Sequence, residues 1–207
     1  DIYYGYGLIA TNTGKNVAAD SLFDISLKIF SKYNIPIGVA NAYYGKGIVT
    51  MNLGKNSESI GYSSKALKLY LSSNYPLGIG NCFTNIGMVN INIGKYEVAD
   101  SNLRAAIPWL TKINHQIGLG NVHYGLAVIA LNLGNNKDSY DNYSQALKYY
   151  EFTGYSLGLG RIYHGLSTLA LNTGDNKTAE ENAKKAVEYY GKAGFPVGIG
   201  QVYENLG

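Results

Sequence analysis

Residues 36–75 read PIGVANAYYGKGIVTMNLGKNSESIGYSSKALKLYLSSNY, and they decide the fold. Pro36 suits the first turn of a helix, where its missing N–H would go unpaired in any case. The spacing predicts one helix from Pro36 to about Asn52. Gly54 ends it, because glycine takes the left-handed conformation of a helix stop without a Cβ penalty. Asn56 is placed to cap a second helix running to about Ser73. Asn74 follows, a residue type that tolerates positive φ, and Pro76 opens a new helix two residues on. No alternating apolar–polar runs flanked by hairpin turns compete with this reading.

The same pattern recurs on both sides. Asn-x-Gly stands at Asn12/Gly14, Asn52/Gly54, Asn92/Gly94, Asn132/Gly134 and Asn172/Gly174, a step of 40 residues each time. Gly38, Gly78, Gly118, Gly158 and Gly198 keep that step, and Asn16, Asn136 and Asn176 share the expected capping place of Asn56. Asn34, Asn74, Asn114, Gly154 and Gly194 mark the expected ends of the second helices. Such self-similarity is the signature of stacked repeats. It predicts an all-α, right-handed α-α superhelix of five helix-turn-helix repeats plus a partial sixth first helix. The expected units are about 1–35, 36–75, 76–115, 116–155, 156–195 and 196–207, in one solenoid domain that is a piece of a longer array. Asp1–Gly7 corresponds in phase to Gln201–Gly207.

Small residues recur where two helices must approach closely. In first helices they are Gly7, Gly47, Gly87, Ala127, Ser167 and Gly207; in second helices, Ala19, Ser59, Ala99, Ser139 and Ala179, then Ser26, Ala66, Ala106, Ala146 and Ala186. Two large columns, Tyr3/Tyr43/Phe83/His123/Tyr163/Tyr203 and Leu27/Leu67/Ile107/Leu147/Val187, are expected to fill the space between.

An aromatic residue, a Leu-Gly-like pair and two small residues seven apart resemble the tetratricopeptide repeat. Phe83, Ile86-Gly87, Ala99 and Ala106 carry the match in the third unit, echoed by Leu126-Ala127, Leu166-Ser167 and Leu206-Gly207. The 40-residue period resembles the longer variant of bacterial signalling proteins and of the Leu-Gly-Asn scaffold proteins. That resemblance implies a protein-binding solenoid. Asn85 and Asn205 match the backbone-gripping asparagine of the scaffold members, where glycine stands at 5, 45, 125 and 165. The paired Lys and Asn with which chaperone-binding members hold a terminal carboxylate have no counterpart, since Tyr occupies the lysine's place. Glycines inside first helices each cost roughly 1 kcal/mol relative to alanine, so stability must come from repeat-on-repeat packing.

Composition narrows the function. With 46% apolar residues the chain folds, and with 15% charged residues and a net charge of +3 it lacks the basic stripe of a nucleic-acid binder. Its polarity comes from Asn, Ser, Thr and 20 tyrosines. Cys82 is alone, so no disulfide framework or multi-cysteine metal site is available. No apolar run reaches the roughly 18 residues of a membrane span. The low charge leans toward an extracytoplasmic or cell-surface location.

Catalytic and cofactor patterns do not emerge. Gly-x-Gly at 78/80, 118/120, 158/160 and 198/200 lacks the preceding strand of a dinucleotide fingerprint and follows the packing period instead. His115, His123 and His164 are not spaced for metal ligation from one helix. Cys82 is expected to be buried, and Pro108 should kink its helix while Trp109 fills the space. No enzyme, cofactor or metal is therefore expected.

The outward rows of the first helices are the candidate groove. One row is Asn41, Asn81, Asn121, Arg161 and Gln201; the next is Tyr4, Tyr44, Thr84, Tyr124, His164 and Glu204; Asn12, Asn52, Asn92, Asn132 and Asn172 form a third. Carboxamides both donate and accept, so such a row suits an extended peptide backbone, or else bonds from repeat to repeat and caps carbonyls. Tyrosines add amphipathic contact area at low entropic cost. Asn41, Tyr44, Asn81, Asn121, Tyr124, Arg161 and His164 are the expected partner-binding residues, for a peptide or protein. Uncapped repeat ends suggest the alternative, a self-assembling subunit of an extracellular fibre or surface layer that stacks end to end.

Overall fold

The computed structural model describes residues 2–206; Asp1 and Gly207, with the readings placed on them, lie outside the described residues. Eleven helices are seen among these, and no strand: α1 (Ile2–Asn12), α2 (Asn16–Lys32), α3 (Pro36–Asn52), α4 (Asn56–Ser72), α5 (Pro76–Asn92), α6 (Tyr96–Lys112), α7 (Gln116–Asn132), α8 (Asn136–Thr153), α9 (Ser156–Asn172), α10 (Asn176–Lys192) and α11 (Pro196–Leu206). Backbone contacts divide the chain into two compact units, residues 1–114 with α1–α6 and residues 115–207 with α7–α11.

Helix ends follow local chemistry. Gly14, Gly54, Gly94, Gly134 and Gly174 have φ between 72° and 78°, and Asn34, Asn74 and Asn114 take φ of 52°, 45° and 52°. The glycine stops close a pair of hydrogen bonds of Schellman type, as where Lys55 N–H donates to the Thr50 carbonyl at 2.8 Å and Gly54 N–H to Met51 at 2.9 Å. Starts differ by one residue from expectation. Asn16, Asn56, Asn136 and Asn176 are the first helical residues, and the caps are Lys15, Lys55, Asn135 and Asp175. The reason is that residue 55 already accepts the first helical bond, from Ser59 N–H at 3.0 Å. Among these four starts, only where this residue has a side-chain oxygen is the cap completed: Asn135 Oδ1 accepts from Asp138 N–H at 3.2 Å and Asp175 Oδ1 from Thr178 N–H at 3.0 Å. Pro108 is exposed and α6 runs through it unbroken, with Trp109 packed on the Tyr70/Cys82 cluster.

Large residues of the second helices fill the core, rather than the two columns expected. Tyr43, Phe83, His123 and Tyr163 are half-buried, as are Leu27, Leu67, Ile107, Leu147 and Val187. Three of the first group stack on second-helix tyrosines instead: Tyr43 on Tyr62, His123 on Tyr149 and Tyr163 on Tyr189. The space between helices is taken by Phe23, Leu103 and Tyr143 and by Tyr70, Leu110, Tyr150 and Tyr190, all nearly or wholly buried.

Glycines receive these side chains. A Cβ added to Gly45 would stand 2.6 Å from the Phe23 ring, and one on Gly160 2.6 Å from Tyr190. Tyr150 lies in the slot left by Gly120 on its own first helix and by Gly158 on the next, and Tyr190 likewise between Gly160 and Gly198. Both glycines of Gly78/Gly80 and of Gly158/Gly160 thus serve packing, one for the preceding second helix and one for its own, whereas a Cβ on Gly200 would meet open space. Where the second helix is small, the pattern inverts: Ser63 stands where other repeats carry Phe23 or Tyr143, and Asn85 replaces the glycine and donates to Ser63 Oγ at 2.8 Å.

First helices meet one another across repeats within each unit: α1 with α3, α3 with α5, α7 with α9, and α9 with α11. Second helices of the described residues touch only the first helices beside them. Lys46 adds a cross-repeat tie where the later repeats have isoleucine or leucine. Its Nζ lies 2.8 Å from Asp20 and 2.7 Å from Asp24, with the Tyr62 ring 5.2 Å away. Burial works against its charge, but hydrogen bonds to the two carboxylates outweigh it and hold the Lys46 pKa above the usual value.

Glycine-to-alanine substitutions discriminate the two kinds of glycine. Gly61 is exposed, with open space where a Cβ would stand, so Gly61→Ala should stabilise by about 0.5–1 kcal/mol through helix propensity. Gly160→Ala should destabilise, because overpacking costs about 1–3 kcal/mol and exceeds that gain. Urea denaturation of both variants checks the sign of each.

Candidate partner-binding faces on the first helices

The expected contact residues fall into two groups, one in each unit. Asn41 and Tyr44 on α3 and Asn81 on α5 share the first-helix face of the first unit. Asn121 and Tyr124 on α7 and Arg161 and His164 on α9 share that of the second. All seven are half-buried, so each offers part of its surface to solvent.

Second-helix tyrosines reach through the core to this face. Tyr70 Oη donates to Asn41 Oδ1 at 2.6 Å, and Tyr150 Oη donates to Asn121 Oδ1 at 2.7 Å. A carboxamide so held cannot spin freely, and its Nδ2 edge remains to donate elsewhere. Asn81 has no such support, because Leu110 stands where Tyr70 and Tyr150 do. In the fifth repeat Tyr190 keeps the tyrosine while Arg161 replaces the asparagine. The bracing tyrosines were missed on the sequence although Phe30, Tyr70, Leu110, Tyr150 and Tyr190 keep the 40-residue step.

Arg161 and the exposed Glu204 are the charged members of the two outward rows. Burial raises the phenol pKa values of Tyr44 and Tyr124, and pushes that of Tyr190 up to about 12. Burial also lowers the pKa of His164. His164 Nε2 lies 2.6 Å from Asn205 Nδ2, so with the amide donating, the neutral ring carries its proton on Nδ1. Asn205 also donates to Thr168 Oγ1 at 3.3 Å.

Other expected residues are occupied internally. Asn85, 4% exposed, gives its Nδ2 to Ser59 and Ser63, and its Oδ1 is buried without a partner, out of reach of a peptide backbone. In the terminal asparagine row, Asn52 donates to Asn16 Oδ1 at 3.2 Å, and Asn132 donates to the Val128 carbonyl at 2.8 Å. Those are the repeat-to-repeat and carbonyl-capping roles. His123 Nδ1 lies 3.1 Å from Asn142 Oδ1, and His115 caps α7 by accepting from Gly118 N–H at 3.0 Å. Among the described residues no group of three or more His, Cys, Asp or Glu is placed to hold a metal, and no helix is long and apolar enough to cross a membrane. A cleft of about 610 Å3 opens elsewhere on the second unit, between α8, α9 and α10, floored by Leu166, Leu169 and Ala170. It includes none of the seven residues.

Burial lowers the pKa of His115 and of His164 from 6.5. The unfolded chain therefore takes up these protons first as pH falls. The stabilisation is complete above the unfolded value and is lost as pH falls through the folded ones. Melting temperature should drop between about pH 7 and pH 5, and His115→Asn, which keeps a cap acceptor at every pH, should flatten part of that drop. Cys82 is wholly buried in α5, and burial pushes its thiol up to about 12. Iodoacetamide should label it only as fast as the chain opens, since the thiolate is the nucleophile.

Residues 118–192 match the family model described as tetratricopeptide repeat. No curated protein matches the chain. Among solved structures it resembles a Rap protein complexed with competence and sporulation factor, at 14% identity and a TM-score of 0.87 over 97% of this chain and 56% of that one. The Rap conjugation gene regulator of plasmid pLS20, in complex with the Phr* peptide, gives 18% identity and a TM-score of 0.70 over 99% of this chain and 64% of that one. A putative kinesin light chain of Podosopora anserina with nearly identical TPR-like repeats gives 12% and 0.64 over 92% and 93%. The chain thus spans little more than half of the Rap protein it matches, and at these identities the likeness is one of fold. Residues 118–192 are tetratricopeptide repeats by family model, and the remaining repeats, in the same register and of the same fold, extend them into a tetratricopeptide-type array with a 40-residue period.

Proposed function

We propose that the chain is a non-catalytic protein-interaction scaffold, and that it holds an extended peptide or protein segment against its outward first-helix residues. The observation that carries this reading is the bracing of Asn41 and Asn121. Their carbonyl oxygens are engaged by Tyr70 and Tyr150, which leaves two oriented amide donors beside the half-exposed Tyr44 and Tyr124. Preorganised donors lose little freedom on binding, and each hydrogen bond to a partner carbonyl would add about 0.5–1.5 kcal/mol. Solved complexes of two Rap proteins, one with competence and sporulation factor and one with the Phr* peptide, support a ligand-binding use of this fold.

A self-assembling structural subunit, in an extracellular fibre or surface layer, is the second reading. The unbroken 40-residue period and the low share of charged residues, 15%, favour it. Light scattering separates the two, because a monomer that persists at high concentration removes the second.

The first reading is tested by selecting short random peptides on the immobilised 207-residue chain and mapping them by hydrogen exchange. Bound peptide should slow exchange in α3 and α5, or in α7, α9 and α11. Protection confined to the second helices would contradict it.

A further inference from the structure

Repeats two to six carry Asn41, Asn81, Asn121, Arg161 and Gln201 at one position, and only the fifth is charged. In the fourth repeat Tyr150 donates to the asparagine oxygen at 2.7 Å. Tyr190 cannot do this in the fifth, because a guanidinium has donors only. Arg161 therefore sits on the first-helix face of the second unit without the internal role of its counterpart. It lies close enough to Tyr124, Tyr150 and Tyr190 to act on all three hydroxyls electrostatically.

Among the described residues no carboxylate lies within 4.0 Å of this guanidinium. Lys46, Arg104 and four other lysines each stand 2.6–3.8 Å from a carboxylate. Arg161 has no such partner among the described residues. Arg161 is the one Asp, Glu, Lys or Arg on α7 and α9, and α11 adds a single exposed acid, Glu204. Half-burial of an unpaired cation costs solvation that an anion would restore. Its fork of donors fits a carboxylate with two parallel bonds, and the nearby Nδ2 edge of Asn121 adds a further donor.

We propose that Arg161 is the centre of a carboxylate-recognition subsite on the first-helix face of the second unit, which takes an acidic side chain or terminal carboxylate of an extended peptide. This rests on the scaffold reading above and specifies what its partner must carry. Asn121 orients the same group from the neighbouring helix, and Tyr124 packs against the peptide beside it. Attraction through a half-buried pair weakens with salt, though less than at an open surface.

The test uses the full 207-residue chain and peptides selected as above. Each is compared with versions in which every Asp or Glu becomes Asn or Gln, and with a C-terminally amidated version, which separates the two sources of the carboxylate. Neutralising the recognised group should weaken binding about tenfold or more. Arg161→Asn restores the residue of the second and fourth repeats, so Tyr190 gains an acceptor and the melting temperature should hold or rise. The variant should bind acidic and neutralised peptides alike, at the weaker level, and Arg161→Lys should fall between. If peptides protect α7, α9 and α11 yet neither neutralisation nor Arg161→Asn changes affinity, the subsite is overturned while the scaffold reading stands. If Arg161→Asn weakens acidic and neutral peptides equally, the subsite is also overturned. If no peptide protects those helices the subsite falls, and the scaffold reading falls with it only where α3 and α5 are unprotected as well.

Discussion

Insertion of one second-helix side chain into gaps left by missing Cβ atoms is the constraint on which the rest depends. Tyr150 illustrates it: the ring occupies space that alanines at 120 and 158 would close. Because Gly158 belongs to the following repeat, one tyrosine joins helices of two repeats and sets their separation. Interiors packed to crystal density transmit such a requirement sharply. A flexible, unbranched side chain could adapt to an added methyl group, but a buried ring must move as a plate. The same ring carries a hydroxyl across the core to Asn121, so the contact that spaces the helices also aims a polar group at the surface.

That coupling gives the first-helix face its character. Two of its amides, Asn41 and Asn121, are fixed by core tyrosines, and its buried phenols and His164 are neutral. Burial is the cause in both cases, acting upward on the phenols and downward on the imidazole. On the proposed scaffold reading, such a donor-rich surface with little charge would read backbone more readily than side chains. Specificity would then rest on the few places where the pattern departs, of which the exchange of asparagine for Arg161 is the most pronounced.

Much of the fold was legible because it repeats. Helix ends at Gly54 and Asn74, proline starts at Pro36 and Pro76, and the burial of Ala19, Ala66 and Cys82 all followed from local chemistry read in register. What escaped was the identity of the large core residues. The Tyr43 and Leu67 columns are apolar enough to look internal, yet they lie on the seam between helices and stay half-buried. The row of Tyr70, Tyr150 and Tyr190 is deeper, and its signal was the glycine opposite each ring rather than the ring itself. Glycines inside first helices looked like a liability until their occupants were known. The capping place was misjudged by one residue, because a side chain's fitness for a cap says nothing of which carbonyl accepts the first helical bond. Of the candidate site, positions were legible and bracing was not, since Asn41 and Tyr70 are brought together only by packing.

Among the described residues, second helices meet only the first helices beside them, and the slot-filling rings Tyr150 and Tyr190 each reach their own repeat and the next. The array is therefore written in interchangeable blocks. Excising residues 36–75 in frame, for example, leaves Phe30 on one side of the new seam and Gly78 on the other. The number of repeats is then a quantity that recombination can alter in single steps, without redesigning an interior, and the length of the first-helix face changes with it.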